Sequence, residues 1–459
     1  MKILHAPFCF HPDPVGGTEV YVESLAAHLQ RLGVQSVIAA PWERDACYSH
    51  SGLRVWRYAI SQTVADPREL YDEGDRLAVQ GFARILDEER PDVVHLHAFT
   101  RGVSLRLVRE AKRRGIPVVF TYHTPTVSCP RGTLMRWGTE VCDGVLNLDL
   151  CARCTLQGLG LPRGVADVVG RVPVALGNLL GRVHLSGGVW TALRMRELIH
   201  ARHATFHALM AEVDHVVALC EWTRSLLIRN GVPPSKITLS RQGLCHPDDG
   251  PTYNSRSESR NPQSSTRIAF LGRLVPVKGP DIIIRAVRSL PGVPIELHLY
   301  GIEQDGQGAP YVEQLKALVG GDPRIAFSPP VSRDQVISLL RGYDLLAVPS
   351  RCLETGPLVV LEAFAAGIPV IGSNLGGIAE LVEPGVNGLL VEPDSLKAWS
   401  ETFQRLVEDR TLLARLRAGI RPPRTMREVA GEMLRIYEAL GQPSLQVVSS
   451  RDGVTEWPR

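Results

Sequence analysis

No uninterrupted apolar stretch of the chain reaches the roughly 18 residues that a membrane-spanning helix needs, which predicts no such helix. The opening MKILHAPFCFHP does not read as a signal peptide, because Pro7, His11 and Pro12 break the apolar run. No Gly-X-Gly-X-X-Gly follows the first predicted strand, and no Walker A sequence occurs anywhere. Oxidoreductase and P-loop NTPase readings therefore lose support. An excess of one charge is also lacking: 51 Lys and Arg stand against 48 Asp and Glu, so charge alone argues for no nucleic-acid partner. The nine cysteines are an odd number in a long chain expected to lack a signal peptide, which disfavours a disulfide framework. With 44% apolar and 22% charged residues, the balance is that of a globular protein rather than a disordered one. The expected address is the cytoplasm, with the inner face of a membrane left open.

What the chain has is alternation. Short β-branched runs at 2–5, 36–40, 53–57, 93–97, 118–122, 215–219 and 237–240 read as strands. Amphipathic stretches lie between them, such as Thr18 to Gly33 with Leu25, Ala26, Leu29 and Leu32 on one face. Residues 246–266 are then nearly devoid of apolar side chains and read as a linker. Strand-like runs resume at 267–272, 295–301, 324–327, 345–350, 369–372 and 388–393. The pattern predicts an α/β protein of two doubly wound domains, 1–245 and 267–423, with a cleft between the carboxyl ends of their strands. Met426, Val429, Met433, Ile436 and Leu440 form one helical stripe, predicting a helix over 424–441 before a frayed tail, 442–459.

Three segments carry residues suited to chemistry. In FLGRLVPVKGPDIIIRA a strand ends at Leu271, a loop presents Arg273 and Lys278, and Gly279-Pro280-Asp281 opens a helix. Two cations beside a helix N-terminus suit a diphosphate; a solvated loop with two surface charges fits the same pattern. In PDPVGGTEV, Gly16 and Gly17 let backbone approach a ligand closely, although a plain tight turn is the more ordinary reading.

The third segment is RCLETGPLVVLEAFAAG. Gly356-Pro357 cannot sit inside a regular helix, so the helix begins near Pro357. Glu354 then lies in the loop ahead of it and Glu362 well within it. Free amides at Leu358 and Val359 would point into the cleft, where they suit a phosphate. Glu362, among Leu361, Ala363 and Phe364, is expensive to bury without a bound partner. A solvent-facing position on an amphipathic helix is the alternative.

Taken in order, GRLVPVKG, the Glu-X7-Glu of Glu354 and Glu362, and SNLGGIAELVEPGVNGLLVEP resemble the retaining, nucleotide-sugar-dependent glycosyltransferases of family 4. GGTEVYVESLAAHL and TYHT extend the resemblance over the first half. The family implies the GT-B fold, two Rossmann-like domains facing across a cleft, with the acceptor on the N-terminal side. It implies that Arg273 and Lys278 neutralise the donor diphosphate and that Glu362 holds the ribose hydroxyls. Glu354 would hold the transferred sugar, and amides around Gly356, Leu358 and Val359 the phosphates. His123 would lie near the sugar from the opposite domain, Gly16 and Gly17 would line the diphosphate and acceptor side, and the C-terminal helix would cross back onto the first domain. No Asp-X-Asp occurs, which suits metal-independent transfer. Thr355-Gly356-Pro357 departs from the aromatic and glycine common in relatives, and this leaves the sugar open.

Cys129, Cys142, Cys151 and Cys154 are spaced C-X12-C-X8-C-X2-C within an insertion expected over about 128–195. Four thiolates match a closed tetrahedral zinc site, and Cys151-X2-Cys154 is a usual chelating pair. Reduced thiols on a loop, or an iron–sulfur centre, fit the same spacing. His95 and His97 share a strand face, where packing is the ordinary role. The basic helix expected from Arg101 to Arg114 reads as a solvated face, with anionic lipid as the alternative. Val165 to Val183 is apolar but broken by Gly, Pro and Arg, suiting either a membrane surface or a cover for the acceptor site.

The expected function is sugar transfer from a nucleoside-diphosphate sugar to an acceptor hydroxyl in polysaccharide, glycolipid or other glycoconjugate synthesis. No cofactor is expected for catalysis. The expected partners are that donor and an unidentified glycan, lipid-linked or small acceptor, with no nucleic acid and a peripheral membrane contact. An epimerase or hydrolase on the same scaffold, or a silent sugar-nucleotide-binding protein, are the alternatives.

Overall fold

The computed structural model describes residues 1–13, 16–64, 66–72, 74–183, 187–245, 265–302 and 309–441. The expected linker lies outside them up to residue 264, and so does the whole expected tail.

Among the described residues, the first half supplies ten strands: β1 (Lys2–Ala6), β2 (Gln35–Trp42), β3 (Ala46–His50), β4 (Leu53–Ala59), β5 (Val93–Leu96), β6 (Val118–Tyr122), β7 (Met135–Arg136), β8 (Glu140–Val141), β9 (His215–Ala218) and β10 (Ile237–Leu239). Eight form one sheet in the order β10-β9-β6-β5-β1-β2-β4-β3, while β7 and β8 make a small hairpin. Every pair in the large sheet is parallel except β3 with β4. The second half supplies β11 (Thr266–Arg273), β12 (Ile295–Ile302), β13 (Ile325–Ser328), β14 (Leu345–Val348), β15 (Val370–Ser373) and β16 (Gly388–Val391). They form an all-parallel sheet in the order β13-β12-β11-β14-β15-β16.

Every strand read from the sequence is present, with ends differing by no more than two residues. The reason is burial on both faces: β5, β6 and β14 are buried at every position, which demands the continuous apolar runs that made them legible. The sequence reading missed β3. This antiparallel edge strand alternates between half-buried and exposed residues and has no apolar run. Its signal was Ser51-Gly52, a two-residue hairpin with positive φ at both positions (49° and 75°).

The helix Gly17–Arg31 packs against the C-terminal helix Met426–Gly441. Met426, Val429, Ala430, Met433 and Tyr437 are buried there among Tyr21, Val22, Leu25 and Leu29 of the first half. The expected stripe is shifted slightly, since Tyr437 takes the buried place and Ile436 and Leu440 lie at its margin. After β6 come the β7–β8 hairpin and three helices, Leu148–Gly158, Arg163–Val169 and Val174–Arg182. Helix Gly188–Glu212 follows and runs without a break past residue 195, so one continuous helix joins the insertion to β9.

Candidate active site

The two sheets meet at the carboxyl ends of their parallel strands. Past β6, the His123 carbonyl accepts a hydrogen bond from Thr355 Oγ1 at 2.7 Å. Trp222 Nε1 donates to the Glu354 carbonyl at 3.0 Å, and Glu380 receives the amides of Glu221 and Trp222 at 2.8 and 2.9 Å. The loop carrying Glu354 is thus held by both halves of the chain.

Lys278 Nζ donates to Glu354 Oε1 at 2.6 Å, and Ser350 Oγ reaches the same oxygen at 2.5 Å. Burial by itself would raise the Glu354 carboxyl. The Lys278 charge and hydrogen bond, with Ser350 and Arg273, outweigh it and hold the carboxyl below its ordinary range. Lys278 closes the turn Pro276–Lys278 ahead of Gly279, whose φ is +68°. A Cβ at Gly279 would stand 2.1 Å from the Pro349 carbonyl, so only glycine lets this loop lie against the segment carrying Ser350.

The helix after Gly356-Pro357 spans Leu358–Ala365 with Pro357 as its N-cap. Proline supplies no capping side chain, so the cap residue does not satisfy the first-turn amides of Leu358 and Val359. Gly356 has φ +129°, and a Cβ at Gly377 would come within 2.5 Å of its nitrogen. Across the cleft stands Gly17, where a Cβ would be 4.0 Å from Leu358 Cδ1. Gly16 donates its amide to Glu19 at 2.9 Å. On the same helix as Leu358, burial pushes the Glu362 carboxyl up to about 7, and the charge of Arg333 opposes this without cancelling it. Two carboxylates eight positions apart are therefore in opposite states, Glu354 paired and ionised, Glu362 poised near neutrality.

His123 is buried and stays neutral, with desolvation pushing it down to about 3. Its Nε2 lies 3.1 Å from His97 Nδ1, and His97 Nε2 lies 3.2 Å from His5 Nδ1. His5 Nε2 is buried without a hydrogen-bond partner. An orphan acceptor is tolerated better than an orphan N–H, which places the His5 proton on Nδ1. Each histidine then donates to the next, and His123 keeps its own proton on Nδ1. His95 instead joins Thr121 at 2.7 Å and Tyr437 at 2.6 Å, tying the C-terminal helix to the first sheet.

Cys129, Cys142, Cys151 and Cys154 line one cavity of about 30 Å³. The amides of Gly144 and Trp137 lie 3.5 and 3.4 Å from the sulfurs of Cys142 and Cys154. Among the described residues, no three of the sulfurs lie within 4.8 Å of one another, whereas His5, His95 and His97 do. The basic stretch after Arg101 is paired with acids of the first half: Arg109 with Glu212, Lys112 with Asp214 and Arg114 with Asp87. Sequence reasoning did not single out Ser350, Trp222, Glu380 or His5. Each acts through a partner at least four positions away, and for Trp222 and Glu380 that partner lies in the other half, which no local pattern announces.

The comparisons with known proteins agree with this geometry. A family model described as "Glycosyl transferases group 1" matches residues 252–421, and one described as "Glycosyl transferase 4-like domain" matches 16–243. A D-inositol 3-phosphate glycosyltransferase of Rhodococcus jostii is 32% identical over 422 residues, 88% of this chain and 79% of that protein. The chain belongs to the group 1 glycosyl transferases. It is a glycosyltransferase, as its sequence motifs imply. The namesake enzyme of Mycolicibacterium smegmatis is 36% identical over 179 residues, a match covering 37% of this chain and 40% of that protein. Among solved structures, a sucrose-phosphate synthase from Thermosynechococcus elongatus superposes with a TM-score of 0.62 at 20% identity, covering 95% of this chain and 98% of that one. Anabaena HepE, solved with UDP and glucose, gives 0.58 at 17%, covering 96% and 98%. At these identities the likeness establishes the fold, which is GT-B.

Proposed function

We propose that this glycosyltransferase moves a sugar from a nucleoside-diphosphate donor to an acceptor hydroxyl with retention at the anomeric carbon, in polysaccharide, glycolipid or other glycoconjugate synthesis. The observation that carries the reading is the Lys278–Glu354 pair beside an uncapped helix N-terminus and a near-neutral Glu362. Lys278 has three donors and gives one to Glu354, so two remain for the diphosphate. Arg273 and the amides of Gly356, Leu358 and Val359 add to that anion site. Lys278 and Ser350 both contact Oε1 of Glu354, and Oε2 is the oxygen proposed to accept from sugar hydroxyls. Glu362 takes the ribose hydroxyls and loses its proton when they bind. Gly16 and Gly17 leave room for the diphosphate opposite Leu358, and the neutral His123 offers a fixed donor to the sugar.

Transfer then proceeds as the donor's anomeric C–O bond breaks and the diphosphate leaves with the electron pair. Lys278 and Arg273 stabilise the negative charge that develops there. The acceptor oxygen attacks the oxocarbenium-like carbon from the face the diphosphate left, and its proton passes to a departing phosphate oxygen. The relatives' D-inositol 3-phosphate is one acceptor to try. We further propose that the four cysteines take a structural zinc outside this chemistry. The test is donor screening by thermal shift, then product analysis with and without an acceptor. Anomeric retention in an acceptor-dependent product supports the reading, while donor turnover that ignores the acceptor favours an epimerase or hydrolase.

A further inference from the structure

Helices Arg163–Val169 and Val174–Arg182 are built the wrong way round for a globular surface. In the first, Ala166 is buried, as is the cap residue Gly170 just past its end, where a Cβ would meet Arg153 at 2.5 Å. In the second, Gly177 and Gly181 sit against helix Gly188–Glu212, where a Cβ would reach Glu197 at 2.6 Å and Arg194 at 2.9 Å. Beneath them lies a buried charged pair, Arg194 with Glu197 at 3.2 Å, and Arg194 also holds Asp66 at 3.1 Å. Small and charged residues occupy the inside. The outside carries Val165 and Val168 on one helix, Leu176, Leu179 and Val183 at the other, and then Val189 and Trp190. Val168 and Val189 are each 72% exposed. Of the eighteen large apolar side chains exposed among the described residues, eight lie between Leu159 and Trp190, a concentration in one segment that single scattered exposures do not give.

We propose that this face rests on an anionic lipid bilayer. The helices have 7 and 9 residues, about 10 and 13 Å long, which suits lying in the interface and forbids crossing it. Charge selects the occupant. Arg163, Arg171 and Arg182 are exposed around the apolar side chains, and the one acid of the segment, Asp167, pairs with Arg153 at 2.9 Å. A second copy docking face to face would oppose two sets of these arginines, whereas lipid phosphates would match them. The segment belongs to the N-terminal half of the chain, so a bilayer there would contact the half expected to bind the acceptor.

The test is flotation of the full chain with phosphatidylcholine vesicles, with and without phosphatidylglycerol. Binding is expected only with the anionic lipid and should fall with salt. Val168→Asp with Leu179→Asp should weaken it roughly tenfold or more, with the thermal midpoint nearly unchanged because both side chains point outward. Replacing Arg163, Arg171 and Arg182 by Gln should weaken it about fivefold per residue. A second measurement needs no destabilising variant: brominated lipid should quench tryptophan emission, and Trp190→Phe should remove most of that quenching. Absence of vesicle binding by the wild type, binding unaffected by the double Asp variant, or a concentration-dependent dimer that the Asp variant abolishes would each overturn the proposal.

Discussion

Thr355 Oγ1 donates a 2.7 Å hydrogen bond to the carbonyl of His123, joining the loop of Glu354 to the end of a strand in the other sheet. The bond is buried and spans the cleft, so it fixes how far apart the two sets of proposed site residues stand. Thr355→Val keeps the branched shape and removes the donor, which costs about 0.5–1.5 kcal/mol. The expected result is a fall in kcat/KM of roughly three- to tenfold with a small change in thermal midpoint. Unaltered kinetics would mean that the contact does not set the cleft.

Lys278 faces two demands, a carboxylate at 2.6 Å and the proposed diphosphate. Lys278→Ala should lower kcat by roughly 10²–10³-fold, as loss of a charged donor to a leaving group does. It also leaves the partly buried Glu354 without its counter-ion, so stability should drop by about 1–3 kcal/mol. Adding Glu354→Gln should recover much of that stability and none of the turnover. Thermal denaturation and steady-state rates on both variants separate the two effects, and near-normal transfer by Lys278→Ala removes the assignment.

Glu362 makes opposite predictions for folding and for binding. Burial raises its carboxyl from 4.5 to about 7, so the folded protein keeps a proton that the unfolded chain releases. Stability from this group is complete below the unfolded value and is lost as pH rises through about 7. At about pH 8, Glu362→Gln should therefore stabilise the protein by about 1–3 kcal/mol, a gain that fades toward about pH 5. Donor binding needs the ionised form to accept ribose hydroxyls, so affinity should weaken as pH falls below about 7 in the wild type. In the Gln variant it should be weaker and nearly flat with pH. Calorimetric titration across that range is the check, and a flat wild-type profile would count against the ribose role.

Much of this was legible in the chain because burial writes itself into sequence. Strands covered on both faces must be apolar throughout, and Gly356-Pro357 must interrupt a helix, so the strands and the placing of Glu354 and Glu362 were readable. The edge strand Ala46–His50 has one unpaired side and no such demand, and it escaped. Contacts across the cleft escaped for another reason. Glu380 caps a helix that begins 159 residues earlier, and no local spacing encodes that. The charge state of Glu362 was half legible: its apolar neighbours announced the penalty of burial, but only the fold shows that, among the described residues, the charge of Arg333 opposes burial without cancelling it.

The four cysteines give the last prediction. The segment around them has little core of its own, a cluster of Ala152, Leu156, Ala166, Met195 and Ile199. Yet it bends four thiols toward one cavity of about 30 Å³ and aims backbone amides at the sulfurs of Cys142 and Cys154. A zinc tetrathiolate needs sulfurs about 3.8 Å apart, given Zn–S bonds of about 2.3 Å, so binding must draw the loop inward. Purified protein is expected to carry about one zinc per chain. Cys142→Ser and Cys151→Ser should each lose most of it, while Cys47→Ser, at an exposed position on the edge strand, should not. Chelation should lower the thermal midpoint and open the segment after Ser128 to proteolysis. Metal at background level, or the visible absorption of an iron–sulfur cluster, would leave the cysteines without the role proposed for them.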